Sequence, residues 1–290
     1  MEAADPTPAA DEVLVRVTAS GVCASEYHGW SEHSAESEPV RFGHEVVGTV
    51  VGLGPDARDW RIGDTVTGFG GPGFADLVTM RADALLPVPS GIPPEHALGE
   101  PLACIAEAFG RTPIAPQDSV VVVGTGFMGL GFVQLAKLAG PRELIAVDYQ
   151  QHLRDVALRI GATAAYHPDE LPEDLHASVV VEAAGTAGAL TLAGELTAPH
   201  GTLCILGYHA RGPRELDLNW WYKGISVVHG FTQQRWRHQR AMATGLDLIR
   251  TRQFSYAPMV THRFDLSDVD AAFSCFTDRP AGFVKSVIIP

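Results

Sequence analysis

The stretch Ser119-Val-Val-Val-Val-Gly124-Thr-Gly126-Phe-Met-Gly129 decides how this chain is organised. Its four consecutive valines predict a buried parallel strand, because a strand covered on both faces is apolar throughout. An apolar helical pattern follows and ends at Gly140-Pro141. A second apolar run, Leu144-Ile-Ala-Val147, predicts another strand, and Asp148 comes directly after it. The stretch therefore predicts a strand–turn–helix–strand unit with an acidic residue after its second strand.

This unit favours the binding of a dinucleotide. Gly124 allows a tight turn, Gly126 lets the backbone approach a pyrophosphate, and Gly129 lets the helix pack close to the strand. The helix begins at Phe127 and Met128, where unpaired backbone N–H groups and a partial positive charge face the phosphates. The alternative is a structural αβ unit with a chance glycine pattern, which the presence of both strands, the helix and the acid disfavours.

Asp148 indicates which dinucleotide is bound. A carboxylate at the end of the second strand accepts hydrogen bonds from the ribose hydroxyls of the adenosine half. It would repel a 2′-phosphate, and no Arg or Lys stands at Tyr149, Gln150 or Gln151. The sequence therefore favours NAD over NADP.

Length, charge and cysteine content restrict the classes of function. A chain of 290 residues can bury a sizeable core in one large or two medium domains. The net charge of −13 argues against nucleic acid or an anionic membrane as a partner. The first residues lack the segments of a signal peptide, and no apolar run is long enough to span a bilayer. Because the four cysteines are widely spaced, without a disulfide framework, we expect a cytoplasmic protein.

The predicted secondary structure differs before and after this strand–turn–helix–strand unit. Short strands and Gly/Pro turns, from Glu12 to about Pro94, predict a β-barrel, with one of its strands at residues 74–78. After Asp148, alternating helices and apolar strands predict a doubly wound sheet. Ser267-x-x-Asp270 resembles a capping box at the start of a late helix.

Several further motifs occur in an order that matches a known family. They are Gly21-Val-Cys23-Ala-Ser25-Glu26-Tyr-His28, Gly43-His44-Glu45-Val-Val-Gly48, Gly63-Asp64-Thr-Val66, Glu100-Pro101-Leu102-Ala103-Cys104 and Arg279-Pro-Ala-Gly-Phe-Val-Lys285. With the glycine-rich stretch, they resemble the zinc-dependent medium-chain dehydrogenases, the superfamily of alcohol, sorbitol and threonine dehydrogenases. The resemblance covers nearly the whole chain.

The resemblance implies an α/β protein with two domains. A GroES-like β-barrel catalytic domain would comprise residues 1–108 and 254–290, and a Rossmann domain with a doubly wound parallel sheet would comprise residues 109–253. The active site would lie in the cleft between them. The family also implies a homodimer or homotetramer, with dimers formed by edge pairing of the strand at 225–228.

The resemblance further implies one catalytic zinc ion per chain. Cys23 and His44 stand at ligand positions of the family, and Glu100 stands at the third. Glu45 is the alternative third ligand, because some members exchange or replace the third ligand with it. The family's four-cysteine lobe is missing here, so we expect no structural zinc. Taken alone, Cys23 and His44 would more often be a core thiol and a loop histidine.

The chemistry implied is metal-assisted hydride transfer, in which zinc acidifies an alcohol and hydride passes to C4 of the nicotinamide. Ser25 and His28 would relay the released proton to solvent, and Glu26 would orient His44. An ordinary turn serine and a surface histidine are the alternatives for the first two. Gly185 and Gly207 stand where the family binds the nicotinamide half.

These observations lead to a functional prediction. We expect a zinc-dependent oxidoreductase that transfers hydride between NAD(H) and a secondary alcohol or ketone, of the polyol, cyclitol or amino-alcohol type. The third-ligand glutamate at position 100 favours this substrate class, because it resembles the sorbitol and threonine branch. The alternatives are a non-redox or nucleotide-sensing descendant of the same fold, and a zinc-free enone or quinone reductase.

Overall fold

A computed structural model describes residues 4–32, 40–210 and 212–290. The chain forms two compact units, which we call the β-rich unit (Met1–Ala103 with Met242–Pro290) and the parallel-sheet unit (Cys104–Ala241). The boundaries expected from the sequence, after residues 108 and 253, both lie further along the chain. One helix crosses each boundary between the units, so neither division falls in a loop.

The described residues contain thirteen strands and eight α-helices. The strands are β1 Glu12–Gly21, β2 Glu45–Leu53, β3 Thr65–Phe69, β4 Leu77–Arg81, β5 Leu85–Pro87, β6 Ser119–Val123, β7 Glu143–Val147, β8 Ala164–Tyr166, β9 Ala177–Glu182, β10 Thr197–Ile205, β11 Ser226–His229, β12 His262–Asp265 and β13 Ser286–Ile289. The helices are α1 Tyr27–Ser31, α2 Gly99–Arg111, α3 Phe127–Ala139, α4 Gln151–Ile160, α5 Ala187–Leu196, α6 Leu218–Lys223, α7 Arg235–Arg250 and α8 Val269–Asp278.

The β-rich unit is built on one seven-stranded sheet. Its strand order is β12-β13-β1-β2-β3-β5, and β4 pairs with β1. All pairs are antiparallel except β12–β13. Val13, Val15 and Val17 alternate along β1 and are at most 4% exposed, as the period of a half-buried strand requires. The antiparallel pairing of β1 with β2 brings their neighbouring ends together, and this is where the candidate metal ligands lie.

The parallel-sheet unit has six strands in the order β11-β10-β9-β6-β7-β8, and every pair is parallel. The four valines of β6 are at most 4% exposed, because helices cover both faces of such a sheet. Gly140 ends α3 in the left-handed conformation, with φ of 65°. The predicted α/β architecture, with a β-rich unit and a doubly wound parallel sheet, is confirmed.

Two local predictions need correction. The strand expected at 74–78 is β4 at Leu77–Arg81, so it begins later. The capping box at Ser267-x-x-Asp270 is wrong: a 3₁₀ turn at Leu266–Asp268 precedes α8, and Asp268 is the N-cap residue without a side-chain capping bond. That turn places Ser267 before the cap position. In the described parts of the chain, no helix is both long and apolar enough to cross a membrane.

Candidate functional site

Three possible metal ligands come together at one end of the β1–β2 pair. Cys23 follows β1, while His44 precedes β2 and Glu45 is its first residue. Gly21 and Glu45 are register partners, so the pairing of the strands sets the ligands side by side. One ligand atom from each of Cys23, His44 and Glu45 lies within 4.8 Å of the others.

A carboxylate holds the His44 ring in place. Glu26 Oε1 lies 3.1 Å from His44 Nδ1 and also accepts a hydrogen bond from Gly43 N at 2.6 Å. Burial disfavours the imidazolium, but hydrogen bonds to Cys23 and Glu26 and the charges of Cys23 and Glu45 outweigh it and raise the pKa of His44 to about 11. The pocket therefore attracts a positive charge, which in the metal-free protein is the proton on His44.

Glu45 is paired with a buried lysine. Lys285 Nζ lies 2.7 Å from Glu45 Oε1, and the side chains are 7% and 1% exposed. Burial disfavours the ammonium, yet the charges of Glu45, Cys23 and Glu100 raise the pKa of Lys285. Glu45 Oε2 is also buried and has no hydrogen-bond partner among the described residues. One carboxylate oxygen thus contacts Lys285, while the other is buried without a hydrogen-bond partner among the described residues.

These donors fit a zinc ion. Thiolate, imidazole and carboxylate are the groups that zinc prefers, and three protein ligands with one open position are typical of a catalytic site. The buried Glu45 Oε2 is a donor that lacks a partner, which a bound cation would satisfy.

Glu100, the third ligand implied by the resemblance, is not in this group of the described residues. It is 6% exposed and lies in the first turn of α2, one turn before Cys104. Within the parallel-sheet unit, Cys104 Sγ is 3.6 Å from His238 Nε2. The charge of Glu107 raises the pKa of His238, but burial outweighs it and lowers the pKa. Burial therefore favours the neutral imidazole.

The two residues of the predicted proton relay take separate partners. The Ser25 hydroxyl donates to Cys23 Sγ at 3.3 Å. His28 Nδ1 lies 3.7 Å from Glu32 Oε1, one helical turn away. Ser25 is therefore beside the candidate metal ligand Cys23, and His28 faces Glu32.

The glycine-rich turn has the geometry that its sequence predicts. Gly124 has φ of 89°, and a Cβ on Gly129 would lie 1.9 Å from Gly124 O, so neither position accepts a side chain. A Cβ on Gly126 would meet nothing within 4 Å, and α3 begins at the next residue, Phe127, which is buried while Met128 is half-buried. The turn therefore leaves space in front of the helix N-terminus, where a pyrophosphate would bind.

Asp148 is fixed against this turn. Its Oδ2 accepts from Thr125 N at 2.7 Å and its Oδ1 from Gln150 N at 2.9 Å. Sequence reasoning missed a cation here: Arg154 Nη1 donates to Asp148 O at 2.7 Å and to Tyr149 O at 2.9 Å. The position of Arg154 near the start of α4 was the available signal. From there its side chain reaches back to the loop that contains Asp148 and Tyr149.

Gly185 and Gly207 follow β9 and β10 and lie against each other. A Cβ on Gly207 would lie 2.4 Å from Gly185 N. Glu182, which ends β9, is fully buried and accepts from Ala184 N and Gly185 N at 2.8 and 2.7 Å. These loops lie at the same edge of the sheet as the glycine-rich turn, because the carboxyl ends of parallel strands share one edge.

Comparisons with known proteins agree with this geometry. Residues 9–90 match the profile of the alcohol dehydrogenase GroES-like domain, and residues 128–250 match that of the zinc-binding dehydrogenase family. A sorbitol dehydrogenase from Halalkalibacterium halodurans is 28% identical, with 100% of this chain and 94% of the relative covered. An L-threonine 3-dehydrogenase from Paraburkholderia phymatum is 26% identical, with 94% and 91% covered.

Solved structures include similar proteins as well. A putative zinc-binding dehydrogenase from Sinorhizobium meliloti, solved with bound NADP, is 28% identical with a TM-score of 0.86, and the match covers 98% of this chain and 94% of that one. One superfamily accounts for both family profiles, the two sheets and the Cys23–His44–Glu45 group. The chain belongs to the medium-chain dehydrogenase/reductase superfamily of zinc-type alcohol oxidoreductases.

Proposed function

We propose that this protein is a cytoplasmic oxidoreductase that uses zinc and NAD(H) to interconvert a secondary alcohol and a ketone, with a polyol, cyclitol or amino alcohol as substrate. The observation that carries the proposal is the group formed by Cys23, His44 and Glu45, whose ligand atoms lie within 4.8 Å of one another. The sorbitol and threonine dehydrogenases among its relatives support this substrate class.

We propose one catalytic zinc per chain, held by Cys23, His44 and a glutamate. Glu45 is the better supported third ligand, because its buried Oε2 has no other partner in the described structure, and Glu100 remains the alternative. When bound there, zinc supplies a Lewis acid that lowers the pKa of an alcohol and favours loss of its hydroxyl proton.

The residues around Cys23, His44 and Glu45 orient the ligands, balance their charge and transfer the released proton. Glu26 holds the His44 ring through Nδ1, which leaves Nε2 as the ligand atom. Lys285 neutralises part of the charge that Glu45 brings into a buried site. Ser25, which contacts Cys23 Sγ, accepts the released proton as it gives up its own hydroxyl proton, and His28 passes that second proton to solvent.

The parallel-sheet unit binds the dinucleotide in this proposal. Gly124, Gly126 and Gly129 receive the pyrophosphate, and Asp148 accepts hydrogen bonds from the adenosine ribose. The Asp148 carboxylate is already oriented by two backbone N–H groups, which supports NAD. Arg154 lies at the same loop and the Sinorhizobium meliloti relative binds NADP, so the preference needs a direct comparison of both cofactors.

The test is a hydride-transfer assay with a metal measurement. Purified protein should contain about one zinc per chain and should change absorbance at the NADH band with members of a panel of polyols, amino alcohols and their ketones. Cys23→Ser should lose zinc and activity while it still binds NAD. Activity that survives in Cys23→Ser contradicts the ligand assignment. No hydride transfer by protein that holds both zinc and NAD supports the non-redox alternative, and activity without zinc supports the enone or quinone reductase.

We also propose that the protein forms a homodimer through β11, with a homotetramer as the larger assembly. β11 is an edge strand, and Val227 on it is 39% exposed. Exposed strand edges pair readily with a second chain. Light scattering should give the mass of a dimer or tetramer, and Val227→Lys should lower it; a wild-type monomer contradicts this proposal.

A further inference from the structure

A hydrogen-bonded series of three side chains lies at the carboxyl edge of the parallel sheet. Glu182, the last residue of β9, is its inner end and is 0% exposed. His209, in the loop after β10, is 13% exposed and lies 2.8 Å from Glu182 through Nε2 and Oε2. Arg214 is the outer end. We call these three residues the edge clamp.

The contacts of His209 define its tautomer. Arg214 Nε donates to His209 Nδ1 at 2.9 Å. A guanidinium carries only donors, so Nδ1 accepts and the ring proton lies on Nε2. Nε2 therefore donates to Glu182 Oε2. The imidazole is a fixed link between a buried carboxylate and a guanidinium, since each ring nitrogen has a partner.

Glu182 also fixes the loop that follows its own strand. Its Oε1 accepts from Ala184 N at 2.8 Å and from Gly185 N at 2.7 Å. Ala184 in turn packs on the glycine-rich turn, because a Cβ on Gly124 would lie 2.7 Å from the Ala184 Cβ. One carboxylate thus holds the loop after β9 against the turn and, through His209, holds the loop after β10.

The position of the clamp assigns it to one half of the dinucleotide. β6 carries the glycine-rich turn, and Asp148 follows β7 on one side of it. In the proposed binding mode, Asp148 receives the adenosine ribose and the turn receives the pyrophosphate. The other half of the ligand would then extend over β9 and β10, on the opposite side of β6. The loops that the clamp holds are the ones that the nicotinamide half would meet.

We propose that His209 and Arg214 are positioning residues for the nicotinamide half of the dinucleotide, which they hold in place by fixing, with Glu182, the loops after β9 and β10. The inference rests on the proposed use of a nicotinamide dinucleotide. It predicts that the clamp affects binding of the nicotinamide half and leaves binding of the adenosine half unchanged.

The experiment compares NADH with ADP-ribose, which has the same adenosine and pyrophosphate groups but no nicotinamide. Affinities are measured by calorimetry on the full-length protein. His209→Ala should weaken NADH binding about tenfold or more, because it leaves the charged Glu182 oxygen unpaired. It should weaken ADP-ribose binding by less than about twofold. Retained ADP-ribose binding also shows that the variant is folded.

Two further variants and one control complete the design. His209→Gln offers Glu182 a donor and Arg214 an acceptor, so it should restore most of the NADH affinity. Arg214→Ala, at the outer end, should weaken NADH binding less than His209→Ala. Arg237→Gln removes the partner of the buried Glu107, 2.7 Å away in the same unit, and should change neither affinity.

The outcomes separate this inference from the proposed function. Equal losses of NADH and ADP-ribose affinity in His209→Ala, or no loss of either, overturn the clamp while the wild-type protein still binds NADH. Wild-type protein that binds neither ligand overturns both the clamp and the proposed function.

Discussion

Lys285 Nζ and Glu45 Oε1 lie 2.7 Å apart in the interior of the β-rich unit, 240 residues apart in the sequence. The pair occupies the same pocket as Cys23 and His44, because Glu45 belongs to both groups. Lys285 therefore provides the positive charge that balances Glu45 when no metal is bound. We therefore expect the stability of the unit to depend on its metal content.

Replacement of Lys285 should make the protein depend on zinc for stability. In Lys285→Met without metal, Glu45 is left as an unpaired buried charge, which costs about 3–5 kcal/mol of the free energy of unfolding. With zinc bound, the loss should be smaller because the metal compensates the carboxylate. Denaturant unfolding with zinc and with a chelator measures both.

The control for this prediction is Arg263→Gln. It removes the 2.9 Å contact with Glu95, in which Arg263 is 51% exposed. That loss should be less than about 1 kcal/mol, and it should not depend on zinc. Equal losses for Lys285→Met in both conditions contradict the coupling.

The third zinc ligand can be identified by two matched substitutions. Glu45→Gln and Glu100→Gln each remove one buried carboxylate charge from the β-rich unit. We expect the zinc affinity of Glu45→Gln to be lower than that of Glu100→Gln by about tenfold or more. Metal content after dialysis against a competing chelator measures the difference. The opposite order would assign the ligand to Glu100.

Zinc binding should release a proton. The His44 pKa of about 11 lies above its ordinary value of 6.5, so the ring stays protonated at neutral pH in the metal-free protein. The stabilisation from this proton is complete below pH 6.5 and is lost as the pH rises toward 11. Zinc must displace it, so zinc affinity should rise with pH, with about one proton released near pH 8.

Calorimetry in buffers of different ionisation heat measures that proton. Glu26→Gln is the matched variant, because it removes a carboxylate that raises the His44 pKa. Proton release in this variant should end at a lower pH than in the wild type. A zinc affinity that is constant from pH 6 to 9 would show that no proton leaves the site.

Removal of the Asp148 charge should shift the cofactor preference. In Asp148→Asn, the side-chain amide oxygen can still accept a hydrogen bond from Thr125 N or Gln150 N. The uncharged side chain no longer repels a 2′-phosphate. The ratio of kcat/KM for NADP to that for NAD should rise by about tenfold, which corresponds to about 1.4 kcal/mol. Asp155→Asn, an equal change of charge on the exposed face of α4, should leave the ratio unchanged. A similar rise in both variants would mean that net charge, not Asp148, sets the preference.

Two glycines of α5 should respond oppositely to alanine. A Cβ on Gly194 would lie 2.1 Å from the Trp220 ring, so Gly194→Ala should cost about 1–3 kcal/mol of stability. A Cβ on Gly188 would meet nothing within 4 Å, so Gly188→Ala should stabilise the protein by up to about 1 kcal/mol. Thermal unfolding of the two variants measures both effects. A stable Gly194→Ala protein would show that Trp220 moves freely.

Local patterns in the sequence determined much of this protein. One short stretch of sequence contains the valines of β6, the three glycines and Asp148. Their spacing predicts the local backbone conformation, which is a strand, a tight turn and a helix followed by a second strand. The family motifs predicted Cys23 and His44 as metal ligands, and the pairing of β1 with β2 brings the two residues together. Turn details were less predictable, as Ser267 shows, because one 3₁₀ turn changes which residue caps a helix.

Only the tertiary structure decided which distant side chains meet. Nothing in the sequence pairs Lys285 with Glu45, or selects Glu45 over Glu100 as the carboxylate beside Cys23 and His44. The edge clamp of Glu182, His209 and Arg214 likewise joins two loops that local periodicity leaves unrelated. Periodicity reports which face of an element is buried, whereas contacts between side chains far apart in the chain depend on how strands pair and how closely their loops pack.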